Sequence, residues 1–342
     1  MIPRRILVLM HPDLIPPRTL KGHSAQEINV WKTEYDVTTT LRRLGHTVRP
    51  LGVQDDVLAI RNAVQSWHPH IVFNLLEEFH GQALFDHHIV SYLELLRVPY
   101  TGNNPRGLVL TRDKAQAKKI LLYHGIRVPE FMVVRRGHRG RLADHLRYPV
   151  IVKSLVEHAS FGISRSSVVH SDGALAERVS YVHRQLETDA IVEEYIEGRE
   201  LYVGVIGNRR LTVLPIWELL FENLPANMPH IATEKVKHDT DVQADWGIYQ
   251  RPADDLAPSR AARIERTCRR IYRALELEGY ARIDFRLRED GALFFLEANP
   301  NPEIAKREEF ASAAAHIGIS YPELLQKVVN LGLRRGKTNN EY

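Results

Sequence analysis

Arg282, Asp284 and Arg286 alternate with Ile283 and Phe285, and Glu297 and Asn299 again stand two residues apart. In a strand that spacing puts the charged side chains on one face. Between the two runs lies Arg288-Glu289-Asp290-Gly291-Ala292, in which Asp290-Gly291 is a strong hairpin signal. Closing the hairpin brings Asp284, Glu297 and Asn299 together beside Arg282. Three hard oxygen donors with an arginine at hand suit Mg²⁺ bound together with phosphate oxygens. Alternating charges on a solvated sheet face would look the same in isolation, so the rest of the chain decides.

Two lysines fit phosphate chemistry. Lys153 ends the apolar run Val150-Ile151-Val152, and Lys114 opens a helix after Thr111-Arg112-Asp113. A lysine at a strand end can hold phosphate as a point charge, although either lysine alone reads as an ordinary surface residue. Ser160, Phe161 and Gly162 follow at the spacing of a small loop whose amides could close over phosphates. Ile191-Val192-Glu193-Glu194-Tyr195-Ile196 is a strand with an acidic centre. Adenine needs an acceptor for its exocyclic amine and apolar walls. Glu193 or Glu194 supplies the acceptor, and Glu200, just past the turn, is placed to take ribose hydroxyls. By itself this segment equally describes an edge strand charged against aggregation.

The elements that must position these residues follow from the alternation of patterns. The chain has 342 residues, 44% apolar and 26% charged, enough for two or three domains. A single cysteine, Cys268, excludes an internal disulfide framework and points to the cytoplasm. A net charge of +4 spread along the chain suits anionic small molecules and gives no sign of nucleic acid. The longest early apolar run, Ile6–Met10, is too short for a secretory signal or a membrane span. That run reads as a buried parallel strand. A helix over Glu34–Leu44, a strand from His46, a helix over Ile60–Trp67 and a strand over Ile71–Asn74 complete an open α/β unit. Beyond it, Asp113–His124 is helical, Phe131–Val134 and Pro149–Lys153 are strands, Val168–His170 resumes strand character, and Asp172–Leu186 is helical. Strands flank Glu197-Gly198-Arg199-Glu200. Residues 219–258 are loop-rich, Arg260–Leu275 is a helix, and Ala281–Leu287 and Leu293–Leu296 are strands. Asn299-Pro300-Asn301-Pro302 is irregular, and terminal helices fill Glu308–Leu333.

Taken in order, Tyr100-Thr101-Gly102, Asp113-Lys114, Ile151-Val152-Lys153, Val192-Glu193-Glu194, Arg199-Glu200, Arg282-Ile283-Asp284 and Leu296-Glu297-Ala298-Asn299 resemble the ATP-grasp superfamily of ligases, closest to the D-alanine–D-alanine ligase branch. The resemblance covers about residues 70–302. It implies a mixed α/β and α+β fold, with an N-terminal open α/β (pre-ATP-grasp) domain over 1–105 and two α+β subdomains, 106–188 and 189–342, clasping ATP. Lys114 and Lys153 would contact ATP phosphates, with Ser160 and Gly162 in the covering loop. Glu193 would face the adenine amine, Glu194 and Ile196 would add backbone contacts, and Glu200 would hold the ribose. Asp284 and Glu297 would bind one Mg²⁺, Glu297 and Asn299 a second, with Mn²⁺ an acceptable substitute. Arg282 would be the catalytic residue that stabilises the transferred phosphoryl group. Lys235 or Lys237 would add a phosphate contact. The implied reaction is ATP-dependent ligation of a small-molecule carboxylate to an amine through an acyl phosphate, with no nucleic-acid or membrane partner and often a homodimer.

Departures from the family pattern bear on the substrates. Ala159 stands where the dipeptide ligases have a serine, and His238 or Val236 where they have a tyrosine; Glu27 or Glu34 is left to supply an N-terminal glutamate. Beyond Pro300-Asn301-Pro302-Glu303, Glu308 and Glu309 fall where a serine–leucine pair holds the acceptor's carboxylate. A carboxylate would be repelled there, which argues for a different, amine or basic, acceptor. The alternative reading is a non-catalytic or regulatory ATP-binding protein, and a phosphotransferase on the same fold is a third.

Overall fold

Strand β1 (Arg5–Met10) is buried at five of its six positions because its side chains alternate into two separate cores. Ile6, Val8 and Met10 pack with Val37 and Leu41 of helix α1 (Ala25–Arg43) and with Leu324 and Val328 of α9 (Tyr321–Thr338). Leu7 and Leu9 pack on the other side with Ile60 of α2 (Leu58–Trp67) and Leu93 of α3 (Asp86–Leu95). A strand covered on both faces shows a continuous apolar run, as read from the sequence. It pairs in parallel with β2 (Thr47–Gly52) and β3 (Ile71–Asn74). This computed structural model describes residues 2–157, 161–224, 228–231, 233, 243 and 245–338, with side chains to Gly336.

Helix α1 starts nine residues before the expected Glu34. Ser24 and Glu27 close a capping box, with the Ser24 amide donating to Glu27 Oε2 at 2.7 Å. The helix hides from an apolar count because Asn29, Lys32, Thr33 and Glu34 of its first half face a chamber and not the core. Two further helices escaped the sequence reading as elements: α3, and α4 (Pro105–Arg112), which Asn104 caps and Pro105 opens. Helix α5 (Lys114–Tyr123) begins where expected, capped by Asp113.

The second sheet has the order β4-β7-β5-β6: β4 (Phe131–Val134), β7 (Ala190–Glu194), β5 (Val150–Ser154) and β6 (Val168–Val169). Val150, Val152 and Val192 pack beneath Leu175 and Val179 of α6 (Asp172–Gln185), which leaves Ile151, Lys153 and Glu193 facing away from α6 into a cleft. The third sheet is antiparallel, with the order β10-β9-β8-β11-β12: β8 (Arg199–Ile206), β9 (Thr212–Phe221), β10 (Ile248–Pro252), β11 (Tyr280–Leu287) and β12 (Leu293–Asn299). Leu201, Val203, Ile283 and Phe285 meet Ile264, Cys268 and Ile271 of α7 (Pro258–Ala274), and the opposite face carries the charges. Helix α8 (Glu309–His316) follows.

Two expectations are corrected here. Residues 219–258 are not simply loop-rich: β9 reaches Phe221, and β10 lies within the stretch. Its proline is tolerated because β10 is the sheet edge and Pro252 its last residue. The last strand also runs past Leu296 to Asn299, so irregular backbone begins only at Pro300.

Helix α9 lies so close to the first sheet that a Cβ at Gly332 would sit 2.3 Å from the Tyr100 carbonyl oxygen. Alanine normally favours a helix by about 1 kcal/mol over glycine. Here we expect Gly332→Ala to destabilise the protein by about 1–3 kcal/mol through overpacking, read as a lower urea midpoint. A midpoint at or above the parent's would show that the contact can relax.

Candidate active site

Glu193, 1% exposed, sits between two lysines. Lys153 Nζ donates to its Oε2 at 3.0 Å, and Lys118 Nζ lies 3.2 Å from its Oε1. Burial works against ionising Glu193, yet Lys118 and Lys153 together hold its carboxyl below the usual range. Burial pushes Lys118 down despite Glu193; for Lys153 the pull of Glu193 and Glu297 outweighs burial and raises it. Lys118 is wholly buried and also donates to the Leu296 carbonyl at 2.5 Å. It thus links β7 of one sheet to β12 of the other.

Lys114 completes the cluster. Its ammonium donates to the Glu157 carbonyl and lies 3.6 Å from Glu297 Oε2, and burial depresses its pKa. The cleft lined by Lys114, Lys153, Glu193, Glu194, Ile196 and Glu200 also takes in Asp284 and Glu297. Glu200 is held at both oxygens, by Tyr202 Oη at 2.7 Å and by Arg286 Nη2 at 2.7 Å.

The hairpin has the register that the sequence implies. Asp284 pairs with Glu297 and Arg282 with Asn299, with an irregularity between Asp284 and Phe285 that shifts the remaining pairs. Arg282 holds Asp284 as a fork, Nε to Oδ1 at 2.7 Å and Nη2 to Oδ2 at 2.8 Å. A carboxylate has about four lone-pair sites, so this fork leaves acceptor capacity for a cation. Among the described residues no group of three or more His, Cys, Asp or Glu could hold a metal by itself. Two carboxylates and one amide suit Mg²⁺ whose remaining ligands are phosphate oxygens and water.

Asn299 and Arg282 open onto a second, larger chamber of about 1190 Å³. Glu308 and Glu309 both line it, and so does Arg307. Glu308 accepts from Lys32 at 2.7 Å, while Glu309 Oε2 lies 3.4 Å from Arg282 Nη1. Of the two candidate N-terminal glutamates, Glu27 is occupied in the helix cap, whereas Glu34 lines the chamber. Asn103 anchors the turn after the hairpin, donating to the Tyr280 and Pro300 carbonyls at 2.7 Å each.

The hairpin residues, both lysines, Glu193, Glu194, Ile196 and Glu200 therefore meet along two adjoining cavities. Gly162 has a φ of +69°, its carbonyl accepts from Arg178, and its neighbours Phe161 and Ile163 line the cleft. Ser160, Ala159, Lys235, Lys237, Val236 and His238 lie outside the described residues. Sequence reasoning missed Lys118, which is four residues after Lys114 and so shares its helix face. It also gave Arg286 no role, although Arg286 fixes Glu200.

The model of the family described as D-ala D-ala ligase C-terminus matches residues 120–330. A D-alanine–D-alanine ligase of Desulforudis audaxviator is 30% identical over 323 residues, covering 92% of this chain and 97% of the relative. The chain belongs to the D-alanine–D-alanine ligase family. An uncharacterised protein of Sinorhizobium fredii is 34% identical over 78% of this chain and 75% of its own length. The fold is likewise that of the ATP-grasp ligases. The D-alanine–D-alanine ligase of Bacillus anthracis, solved with ATP, superposes with a TM-score of 0.74 at 21% identity, covering 98% of this chain and 99% of that one. VanG D-Ala:D-Ser ligase from Enterococcus faecalis gives 0.70 at 19%, covering 97% and 100%.

Removing one partner of a buried charge cluster costs about 3–5 kcal/mol. In this family member, Lys118→Met should lose stability of that order, and adding Glu193→Gln should recover part of it by removing the orphaned charge. Chemical denaturation of the four proteins in that cycle measures the coupling. Additive losses would show that Lys118 and Glu193 act separately.

Proposed function

We propose that the protein is an ATP-dependent carbon–nitrogen ligase that activates a carboxylate as an acyl phosphate and joins it to an amine other than D-alanine. The observation that carries this reading is the meeting of Lys114, Lys153, Glu193, Glu200, Asp284 and Glu297 in one cleft that adjoins the chamber holding Arg282. In this reading Lys114 and Lys153 grip the phosphates. Glu193 accepts from the adenine amine once the base enters, with Glu194 and Ile196 offering backbone groups, and Glu200 takes the ribose. Asp284, Glu297 and Asn299 hold Mg²⁺, one or two ions, which would neutralise phosphate charge. Arg282, its guanidinium over the Tyr202 ring at 4.6 Å, faces the transferred phosphoryl group. Ser160 and Gly162 belong to the loop that covers the phosphates. The residue blocks 1–105, 106–188 and 189–342 serve as the three working parts. Cytoplasmic placement and a homodimer complete the reading; no helix among the described residues is long and apolar enough to cross a membrane.

The acceptor differs because two carboxylates stand where an acceptor's carboxylate would dock. Glu309 already reaches Arg282, and Lys32 is shared between Glu303 at 2.9 Å and Glu308 at 2.7 Å. A third carboxylate at about 4 Å would cost about 4 kcal/mol at an effective dielectric of 20. That is close to a thousandfold in affinity.

Two measurements test the reading. Glu297→Gln should leave ATP binding within about tenfold while cutting ADP release about a hundredfold or more; equal turnover in variant and parent would remove Glu297 from the metal site. Supplied with ATP, Mg²⁺ and millimolar D-alanine, the parent should make no D-alanyl-D-alanine. Dipeptide at several turnovers per second would show that the acidic pair does not exclude that acceptor. No ADP release with any carboxylate and amine pair would favour a non-catalytic nucleotide-binding protein.

A further inference from the structure

Arg178 stands midway along α6 and is 6% exposed. Among the described residues no carboxylate is paired with it. Its guanidinium instead serves neutral acceptors on one short stretch of chain. Nη2 donates to the Gly162 carbonyl and to Ser167 Oγ at 2.8 Å, and Nη1 reaches Ser166 Oγ more weakly at 3.4 Å. The centre of the Tyr181 ring lies 4.3 Å from the guanidinium carbon. Ser167 Oγ also accepts from the Ser164 amide at 3.0 Å, which closes the turn before β6. Gly162, at a φ of +69°, is pressed against the end of the same helix: a Cβ there would sit 2.5 Å from Leu186 Cδ1.

Burying a cation without a counter-ion is costly, and burial does oppose the charge on Arg178. An apolar side chain would join a loop to a helix without that cost. What the arginine adds is direction, because charged donors make stronger hydrogen bonds than neutral ones and a planar fork fixes two acceptors at once. The stretch it fixes borders the site. Phe161 and Ile163, the neighbours of Gly162, line the cleft that also holds Lys114, Lys153 and Glu193. Phe161 lines the larger chamber as well, so its place bears on both cavities. Helix α6 packs on the face of its sheet that points away from the cleft. Arg178 thus ties a wall of the cleft to the helix behind the sheet.

We propose that Arg178 is a positioning residue for the nucleotide: by holding Gly162 and Ser167 to α6, it keeps Phe161 and Ile163 in place as the wall against which the nucleotide binds. The word nucleotide rests on the ligase reading; the tether itself rests on the geometry. The test is a calorimetric titration of the full chain and its variants with Mg²⁺ and a non-hydrolysable ATP analogue, with hydrogen exchange read over residues 161–167. Arg178→Met should weaken binding about tenfold and speed exchange over that stretch, leaving β7 protected as in the parent. Arg178→Lys keeps the charge without the fork and should weaken binding about threefold; it carries the test if the methionine variant does not fold. In a chain that already has Phe161→Ala and Ile163→Ala, either change should cost less than about twofold, because the wall through which Arg178 acts is gone. A parent that binds the analogue while both variants match it would overturn the proposal alone, as would an undiminished loss in the truncated background. A parent that binds no analogue would overturn the ligase reading and the proposal together.

Discussion

The buried charge cluster around Glu193 is the constraint on which the rest of the molecule depends. Glu193 joins β7 to β5 through Lys153 and, through Lys118, to the Leu296 carbonyl on β12. Two sheets with separate hydrophobic cores are therefore tied through Lys118 of α5, by an ion pair on one side and a hydrogen bond on the other. Removing charge from water is costly, and a buried carboxylate between two lysines recovers that cost only with good geometry. With Lys114 included, two buried lysines and the half-buried Lys153 face Glu193 and Glu297, three cations to two carboxylates. Burial depresses the pKa of Lys114 and Lys118, and the nearby Lys153 charge adds to it. A polyanion entering the cleft would meet Lys114 and Lys153, although the lining also carries Glu194, Glu200, Asp284 and Glu297. The same groups that hold the sheets in register are thus the ones suited to phosphate.

The larger chamber also has more acidic than basic residues in its described lining, and one arginine links the two cavities. Arg282 is forked onto Asp284, stacked over Tyr202 and reached by Glu309. Burial opposes its charge, but Asp284 and Glu309 hold its pKa above the ordinary arginine value. Its guanidinium is therefore permanently charged at the boundary between the cleft and the chamber. Glu309 follows the proline turn directly into α8, so the backbone beyond Asn299 determines which charge faces Arg282. Asn103 holds that turn to the hairpin strand, which is how a residue that lines neither cavity shapes the chamber.

The legible parts of the sequence were those where one face is buried and the other is chemical. Alternation over Arg282–Arg286, with Asp290-Gly291 between the strands, was enough to pair Asp284 with Glu297. The first strand and the helix at Lys114 were equally plain, since one is apolar throughout and the other carries an Asp cap. What escaped was hidden by function or by edges. The first half of α1 turns polar residues toward the chamber, which erases its apolar period. Among the described residues β10 has one partner strand, and it ends in proline, so its pattern looks like loop. Lys118 escaped because a fully buried lysine is rare, and an ordinary lysine on a helix is read as solvated.

The choice between Glu27 and Glu34 shows how structure decides what spacing leaves open. Both lie on one helix and both are acidic, so sequence offers no ground for preferring either. Glu27 gains its hydrogen bonds from Ser24, in side chain and backbone, and its carboxyl is held low by those contacts at the solvent-exposed helix start. Glu34, two turns on, is buried, where ionisation costs most and where among the described residues no cation is paired with it. Helix geometry alone turns the two side chains about 20° apart, since seven residues advance nearly two full turns. Their different fates therefore come from depth along the helix: the chain entering from Ser24 leaves the first turn in water, and the chamber closes over the third. A carboxyl that serves the fold can be told from one available to a ligand by asking which donors it already has. For these two residues the answers are opposite.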